Sequence, residues 1–427
     1  MSEPTDLLNR RYTAEQMIRM FASQQEGFVV AVDAPWGDGK TFFASMFVNV
    51  LQEEYNAAPI FIDAFEHDYT EDPFMVLASA VYAKISKDKT LRIKAKAFLA
   101  AAINVGKRLL PIATEYSLKI FTDGIIGGKH IEDIKSAISG GGAKITETLL
   151  EERLTNYAKQ QENTHNFKIA LAEFAKNHCV RTKTEDFPDG LPLIIFVDEL
   201  DRCNPTFAVR MLERIKHFFD IDNIIFVLLV NKQQIFEAIR GVYGREIDAS
   251  HYFEKFVNYS CTLNGINSNG QRPSLIYCQK YMSLLNGNIA TAQKIFIQKF
   301  CELMQYITSR NREISLRDIE KIFGYVSRSD NAIWDFGTLW SFLATVKVKY
   351  PLEYIAFVEK DYDGMYDIIR RLFPGLNDSE YPRSILVAAI SLHCRRELTD
   401  EQRHLALGSF SRDIIPFLTS RMDCKQD

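Results

Sequence analysis

The sequence contains no Cys-x-x-Cys pair and no His-Glu-x-x-His motif, and its seven cysteines are odd in number. None of its eight histidines stands at a metal-ligand spacing from a cysteine. These absences argue against a zinc ribbon and against a secreted disulfide framework. We therefore expect reduced, buried thiols and predict a cytoplasmic location.

Long apolar runs and an excess of one charge are also missing. Residues 1–11 are polar, so no signal peptide is expected, and no uncharged apolar run approaches the roughly 18 residues of a spanning helix. With 51 basic and 55 acidic residues, the net charge of −4 gives no general signal for nucleic-acid binding. The basic and apolar stretch Lys94–Lys119 could lie on a membrane surface, but a soluble helical pair is favoured.

The sequence does have enough apolar residues for several cores. Its 427 residues are 47% hydrophobic, which indicates two or three folded domains. Changes in amino-acid composition predict four segments. They are the first part of an α/β core (1–86), a helical insertion with glycine clusters (87–164), the second part of the core (165–264) and a C-terminal helical domain (265–427). The glycine clusters are either mobile loops or functional hinges.

Continuous apolar, β-branched runs predict strands that are buried on both faces. Such runs occupy 28–32, 193–197 and 223–230, and residues 59–65 indicate a further strand. The first run is followed by a glycine-rich turn and by a helix that begins at Lys40. A strand, a glycine loop and a helix in this order predict an α/β domain.

The turn itself matches a phosphate-binding loop. Residues 34–41 fit the pattern GxxxxGK[ST], with alanine in the first glycine position. Backbone N–H groups of such a loop converge on phosphate oxygens, while Lys40 supplies charge for the β- and γ-phosphates and Thr41 offers a hydroxyl to Mg²⁺. Asp38 should repel phosphate and is expected to point outward. The candidate nucleotide-binding residues are Ala34, Pro35, Trp36, Gly37, Asp38, Gly39, Lys40, Thr41 and Phe42.

A second motif follows the apolar run 193–197. This strand would deliver Asp198 to the carboxyl edge of the sheet, where Asp198 can hold Mg²⁺ together with Thr41. Glu199 is then placed to polarise an attacking water, and Asn231 could help to orient that water. The candidate catalytic residues are Lys40, Asp198, Glu199 and Asn231. A water-activating glutamate favours an NTPase, and a small-molecule phosphotransferase remains an alternative.

Two strings carry a family resemblance. Trp-Gly-Asp-Gly-Lys-Thr at 36–41 and Asp-Glu-Leu-Asp-Arg-Cys-Asn-Pro at 198–205 resemble motifs of the KAP family of P-loop NTPases. Weaker similarities extend over roughly residues 6–325. The chain departs from the family pattern in five places: Ala34, Asp38, Glu199 in place of the second aspartate, Asn231 in place of aspartate, and Arg317 without the usual following Lys-Arg.

The resemblance implies a function and further site residues. It implies an AAA-like parallel sheet of the additional-strand type with a C-terminal helical lid, and ATP with Mg²⁺ as ligands. Arg317 either contacts the γ-phosphate or lies on a helix surface, Tyr12 is a candidate for packing near the adenine, and Arg202 either pairs with Asp201 or acts at the phosphates. We expect an ATP-hydrolysing conformational switch, in phage defence by analogy, that acts on a second copy or a partner protein. A nucleotide-gated scaffold with little turnover is the first alternative.

Overall fold

The computed structural model describes most of the first 263 residues and shorter segments beyond them. The described residues are 6–70, 72–87, 91–109, 149–263, 272–285, 298, 302–307, 314–325, 337–359, 363–372 and 418. The chain divides into two compact units. The sheet unit contains Arg10–Pro35 and Lys40–Leu263, and the helical unit contains Met1–Asn9, Trp36–Gly39 and Asn264–Asp427.

The sheet unit contains a five-stranded parallel sheet. Its strands are β1 (Phe28–Asp33), β2 (Ile60–Asp63), β3 (Leu193–Asp198), β4 (Ile224–Val230) and β5 (Tyr259–Thr262), in the order β2-β3-β4-β1-β5. Every residue of β3 and of β4 is buried, as their continuous apolar sequences predicted. Because β4 lies between β1 and β3, the prediction of a parallel α/β sheet of the additional-strand type is confirmed. The strand β5 was not predicted, because it has no apolar run.

Helices cover both faces of this sheet. In the sheet unit they are α1 (Arg10–Ala22), α2 (Lys40–Glu53), α3 (Pro73–Ser86), α4 (Arg92–Leu109), α5 (Leu149–Arg181), α6 (Pro205–Phe218), α7 (Lys232–Tyr243) and α8 (Ala249–Glu254). Alternate strand residues point to opposite faces. Val30 and Phe196 therefore pack with α1 and α2 in one core, whereas Ala31 and Ile195 pack with α3 to α6 in the other.

The helices α4 and α5 include most of the described part of the predicted insertion. Phe98 of α4 and Phe167 of α5 are fully buried, and their ring centroids lie 5.3 Å apart. The Phe167 ring also contacts Phe74 of α3, at 5.1 Å. Aromatic burial of this kind fixes both helices onto the sheet unit. Position 164 lies inside α5, and the glycine clusters at 127–128 and 140–142 lie outside the described residues.

The helical unit has a hydrophobic core of its own. Its described helices are α9 (Pro273–Leu285), α10 (Leu316–Gly324), α11 (Gly337–Lys349), α12 (Pro351–Val358) and α13 (Asp363–Leu372). Trp340 of α11 is fully buried among apolar side chains of these helices. Proline begins α9 and α12, where its missing N–H would have no helical partner. In neither unit is any described helix long and apolar enough to cross a membrane.

One buried histidine predicts how the stability of the sheet unit depends on pH. Burial, with help from the charges of Lys84 and Arg181, lowers the pKa of His178 to about 4. The unfolded chain binds a proton near pH 6.5, whereas the folded protein binds it only near pH 4. The free energy of unfolding should therefore fall between pH 6.5 and about 4, by up to about 3 kcal/mol.

Urea unfolding at a series of pH values checks this prediction. His178→Gln removes the proton-binding group, so its free energy of unfolding should depend on pH less steeply than that of the wild type in this window. His217→Gln, which replaces an exposed histidine of α6, is the matched control and should keep the wild-type slope. Equal slopes for all three proteins would contradict the assignment to His178.

Candidate functional site

The phosphate-binding loop begins where β1 ends. The N–H of Ala34 donates to the carbonyl oxygen of Val230 in β4, at 3.1 Å, which ties the start of the loop to the neighbouring strand. Gly37 and Gly39 have φ angles of +84° and +76°, a conformation that a side chain would strain. The helix α2 starts directly after the loop at Lys40, so its first N–H groups follow the glycines. This strand–loop–helix geometry is typical of a phosphate site.

Lys40 is almost completely buried at the start of α2. Its Nζ donates to the carbonyl oxygen of Ala34 at 2.9 Å and lies 3.5 Å from Oδ2 of Asp201. The side chains of Lys40 and Asp201 are only 8% and 1% exposed. Asp201 thus positions the ammonium group of Lys40. The place of Asp201 in the second motif was a signal for this contact, although only a pair with Arg202 was predicted.

Thr41 and Asp198 come together from segments that are far apart in sequence. The hydroxyl of Thr41 donates to Oδ2 of Asp198 at 2.7 Å, across 157 positions of the chain. The other oxygen of Asp198 accepts the N–H of Glu199 at 2.9 Å. Burial raises the pKa of the Asp198 carboxyl, an effect that these hydrogen bonds and Lys40 partly offset. A cation beside this carboxylate would therefore stabilise its charged form.

The residues present fit a magnesium site of the nucleotide-dependent kind. Mg²⁺ prefers oxygen ligands, and it is commonly held by one or two carboxylates together with substrate phosphates. The hydroxyl of Thr41 and the carboxylate of Asp198 supply such oxygens side by side. Within the described part of the chain, no cluster of three or more His, Cys, Asp or Glu side chains could hold a metal alone. Phosphate oxygens and waters would have to complete the coordination.

Glu199 has an unusual backbone conformation directly after β3. Its φ of +60° lies in the left-handed region, which non-glycine residues seldom adopt and which is enriched at functional sites. Its carboxylate forms an ion pair with Arg202 of the following 3₁₀ turn, Leu200–Arg202. Burial raises the pKa of Glu199, and Arg202 lowers it in part. Arg202 therefore pairs with the side chain that is the candidate catalytic base.

Asn231 lies at the carboxyl end of β4, between the ends of β1 and β3. Its side-chain oxygen accepts the N–H of Gln233 at 3.2 Å and caps α7. Its role in orienting water stays a prediction. So do the roles of Tyr12, which is 59% exposed on α1, and of Phe42, which is half-buried in α2.

Two loop residues make their contacts within the helical unit. The carboxylate of Asp38 accepts the N–H of Leu316 at 3.2 Å, and the carbonyl of Gly37 accepts the N–H of Arg317 at 3.0 Å. A negative charge is favourable at a helix N-terminus, so Asp38 stabilises the start of α10. This is the physical reason for an acid in a phosphate-binding loop. The proposed contact of Arg317 with a γ-phosphate stays a prediction.

The sequence matches the model of one protein family, and several solved structures match the chain as well. The model of the KAP family P-loop domain matches residues 10–283. One of these solved structures is that of the Aeropyrum pernix ORC2 protein in its ADP form, and the match covers 99% of this chain and 96% of that one, at 11% identity and a TM-score of 0.36. No curated protein matches the sequence.

Proposed function

Because the chain belongs to the KAP family of P-loop NTPases, we propose that it binds ATP with Mg²⁺, hydrolyses the ATP and acts as a conformational switch. One observation carries the proposal: the hydroxyl of Thr41 and the carboxylate of Asp198 are in direct contact at the start of α2. Lys40 lies at the same point. These contacts support a site in which Thr41 and Asp198 would bind the metal and Lys40 would supply positive charge for the phosphates.

Each group has a role in the proposed reaction. Lys40 would contact the β- and γ-phosphates and stabilise the charge that develops on them. Thr41 and Asp198 would hold Mg²⁺, which would neutralise negative charge on the phosphates. Glu199 would accept a proton from the attacking water, for which its carboxylate has to be ionised.

The contacts of the 3₁₀ turn support the switch. Asp201 pairs with Lys40, while Arg202 of the same turn pairs with Glu199. A γ-phosphate competes with Asp201 for Lys40 because both are anions that need its ammonium group. Binding of nucleotide to the loop would therefore change the contacts of the 3₁₀ turn. Arg202 would leave Glu199, and the Glu199 carboxylate would be free for catalysis. Hydrolysis would restore the original pairs.

A phosphate-release assay tests the proposed activity. Full-length protein with ATP and Mg²⁺, and with water as the sole acceptor, should release inorganic phosphate steadily, and a parallel series with GTP gives the base preference. Tight binding without release would support the nucleotide-gated scaffold instead. ADP formation that requires an added hydroxyl compound and yields its phosphate ester, with no release of inorganic phosphate, would support the phosphotransferase.

The proposed biological setting is anti-phage defence, together with a second copy or a partner protein, and it rests on the family resemblance. Cells that express the wild-type chain should resist a phage to which cells with Lys40→Ala are sensitive. Equal plaque numbers across a broad phage panel would count against this setting but would leave the ATPase proposal intact.

The rate of hydrolysis should depend on pH through Glu199. Burial raises the pKa of Glu199. As the pH is lowered, the rate of ATP hydrolysis should therefore begin to fall at a pH above the ordinary glutamate value of about 4.5. Arg202 favours the ionised form, so Arg202→Met should move this acidic limb to still higher pH. The measurement is kcat/KM as a function of pH, which reports the free enzyme, where Arg202 pairs with Glu199.

Arg19→Met, which removes an exposed positive charge from α1, is the matched control for Arg202→Met and should leave the limb in place. A limb that shifts equally in both variants would show a general effect of net charge. A limb that is unmoved by Arg202→Met would show that Arg202 does not act on the catalytic base.

A further inference from the structure

A concave surface of the sheet unit lies near the amino end of β2, whereas Thr41 and Asp198 meet at the carboxyl ends of the strands. It is a cleft of about 660 Å³ in the sheet unit, formed where residues 56–58 lead into β2 and where α3 and α5 end. The loop and Asp198 follow the carboxyl ends of the strands, whereas residues 56–58 precede the amino end of β2. The polar residues that line the cleft are Asn56, Lys84, Lys87, Asn177, His178 and Arg181.

Positive charge is concentrated in this cleft. Lys84, Lys87 and Arg181 line it together with His178, and none of the described lining residues is acidic. Burial and the neighbouring Lys87 lower the pKa of Lys84. The charges of Lys84 and Arg181 likewise disfavour a proton on His178. The groups therefore oppose one another's charges, which costs free energy that a bound anion would offset.

Part of this charge has a local explanation. Lysine and arginine are favourable in the last turn of a helix, and α3 and α5 both end here. Lys84 also donates one hydrogen to the carbonyl oxygen of Pro59, at 3.1 Å. An ammonium group has three donors, so this bond leaves Lys84 able to bind an anion as well. Helix ends alone do not require that the cations of two helices meet at one concave surface.

We propose that this cleft is a second ligand site, which takes a small molecule that carries a phosphate group. Its volume lies in the usual range for small-molecule sites, and its concave form suits a compact ligand. Lys84 and Arg181 would contact the phosphate, because ammonium and guanidinium groups make short, charge-assisted hydrogen bonds to it. The apolar side chains of Leu91 and Phe174 would cover the remainder of the molecule. The site does not depend on the proposed ATPase activity, since it shares no residue with the loop.

Inorganic pyrophosphate is a suitable probe, and His178 is the reporter. The full chain carrying Lys40→Ala should be used, so that the phosphate-binding loop is weakened. NMR of the histidine ring, assigned with His178→Gln, should show that pyrophosphate raises the pKa of His178 from about 4 toward its ordinary value. The double variant Lys84→Met/Arg181→Gln should bind the probe at least about tenfold more weakly.

Matched controls separate a built site from diffuse charge. Lys176→Gln/Lys183→Gln removes two exposed charges from the same part of the chain, outside the cleft, and should leave the affinity for pyrophosphate unchanged. If the double variant in the cleft fails to fold, the single change at the exposed Lys87, Lys87→Gln, should still weaken binding. All cleft variants should keep wild-type affinity for ATP when Lys40 is present.

Three results would overturn the proposal. The first is a His178 resonance that millimolar pyrophosphate does not perturb. The second is an equal loss of affinity in the cleft variants and in the matched controls, which would leave only helix-end stabilisation as the role of these cations. The third is equally tight binding of citrate, which would show that the cleft does not select phosphate.

Discussion

Glu199→Gln is expected to reduce the rate of ATP hydrolysis about 10²–10⁴-fold while ATP affinity stays near that of the wild type. Glutamine has nearly the same shape as glutamate but cannot accept the proton of the attacking water. Glu199 directly follows Asp198, whose contact with Thr41 does not involve the Glu199 side chain. Single-turnover hydrolysis measures the rate, and calorimetry measures the affinity.

Glu66→Gln is the matched control for this variant. Glu66 is an exposed acid three residues beyond the end of β2, and β2 pairs with β3. Glu66→Gln therefore removes the same charge as Glu199→Gln, close to the same ends of the strands. Its turnover should be close to the wild-type value. A Glu199→Gln protein that hydrolyses ATP at the wild-type rate would reassign the base to another residue.

Lys40→Ala is expected to abolish tight binding of ATP. A charge-assisted contact with phosphate contributes about 1.5–3 kcal/mol, which corresponds to a loss of affinity of roughly 10- to 150-fold. The same change leaves the buried carboxylate of Asp201 without the cation that pairs with it, so the free energy of unfolding should also fall. Calorimetry and urea unfolding measure the two effects separately.

A second change at Asp201 distinguishes lost binding from lost folding. Asp201→Asn in the Lys40→Ala background removes the buried charge that had paired with Lys40. The double variant should regain part of the stability but none of the affinity. Unchanged ATP affinity in the well-folded Lys40→Ala protein would show that the loop is not the nucleotide site.

The core strands and the phosphate-binding loop could be predicted because their signals are local. Residues 193–197 and 224–230 are apolar without interruption, and a strand covered on both faces buries such a run completely. The loop pattern likewise reflects the needs of a single turn, in which Gly37 and Gly39 adopt positive φ. The family resemblance rested on such contiguous strings and is confirmed by the match over residues 10–283.

The edge strand β5 could not be predicted from local sequence signals. Tyr259–Thr262 is mostly exposed, has no apolar run and is a strand because it pairs with Val30–Asp33 of β1. Its assignment depends on backbone hydrogen bonds to a distant segment. Neither hydrophobic periodicity nor turn residues report such bonds.

The sequence by itself determined the α/β class, the phosphate-binding loop and the family, because each follows from neighbouring residues. Only the tertiary structure decided which charged groups meet: Lys40 with Asp201, Glu199 with Arg202 and Asp38 with the N-terminus of α10. Polar side chains carry no periodic pattern that identifies their partners. The free energy of placing a charge depends on burial and on distances through space, which the fold alone sets.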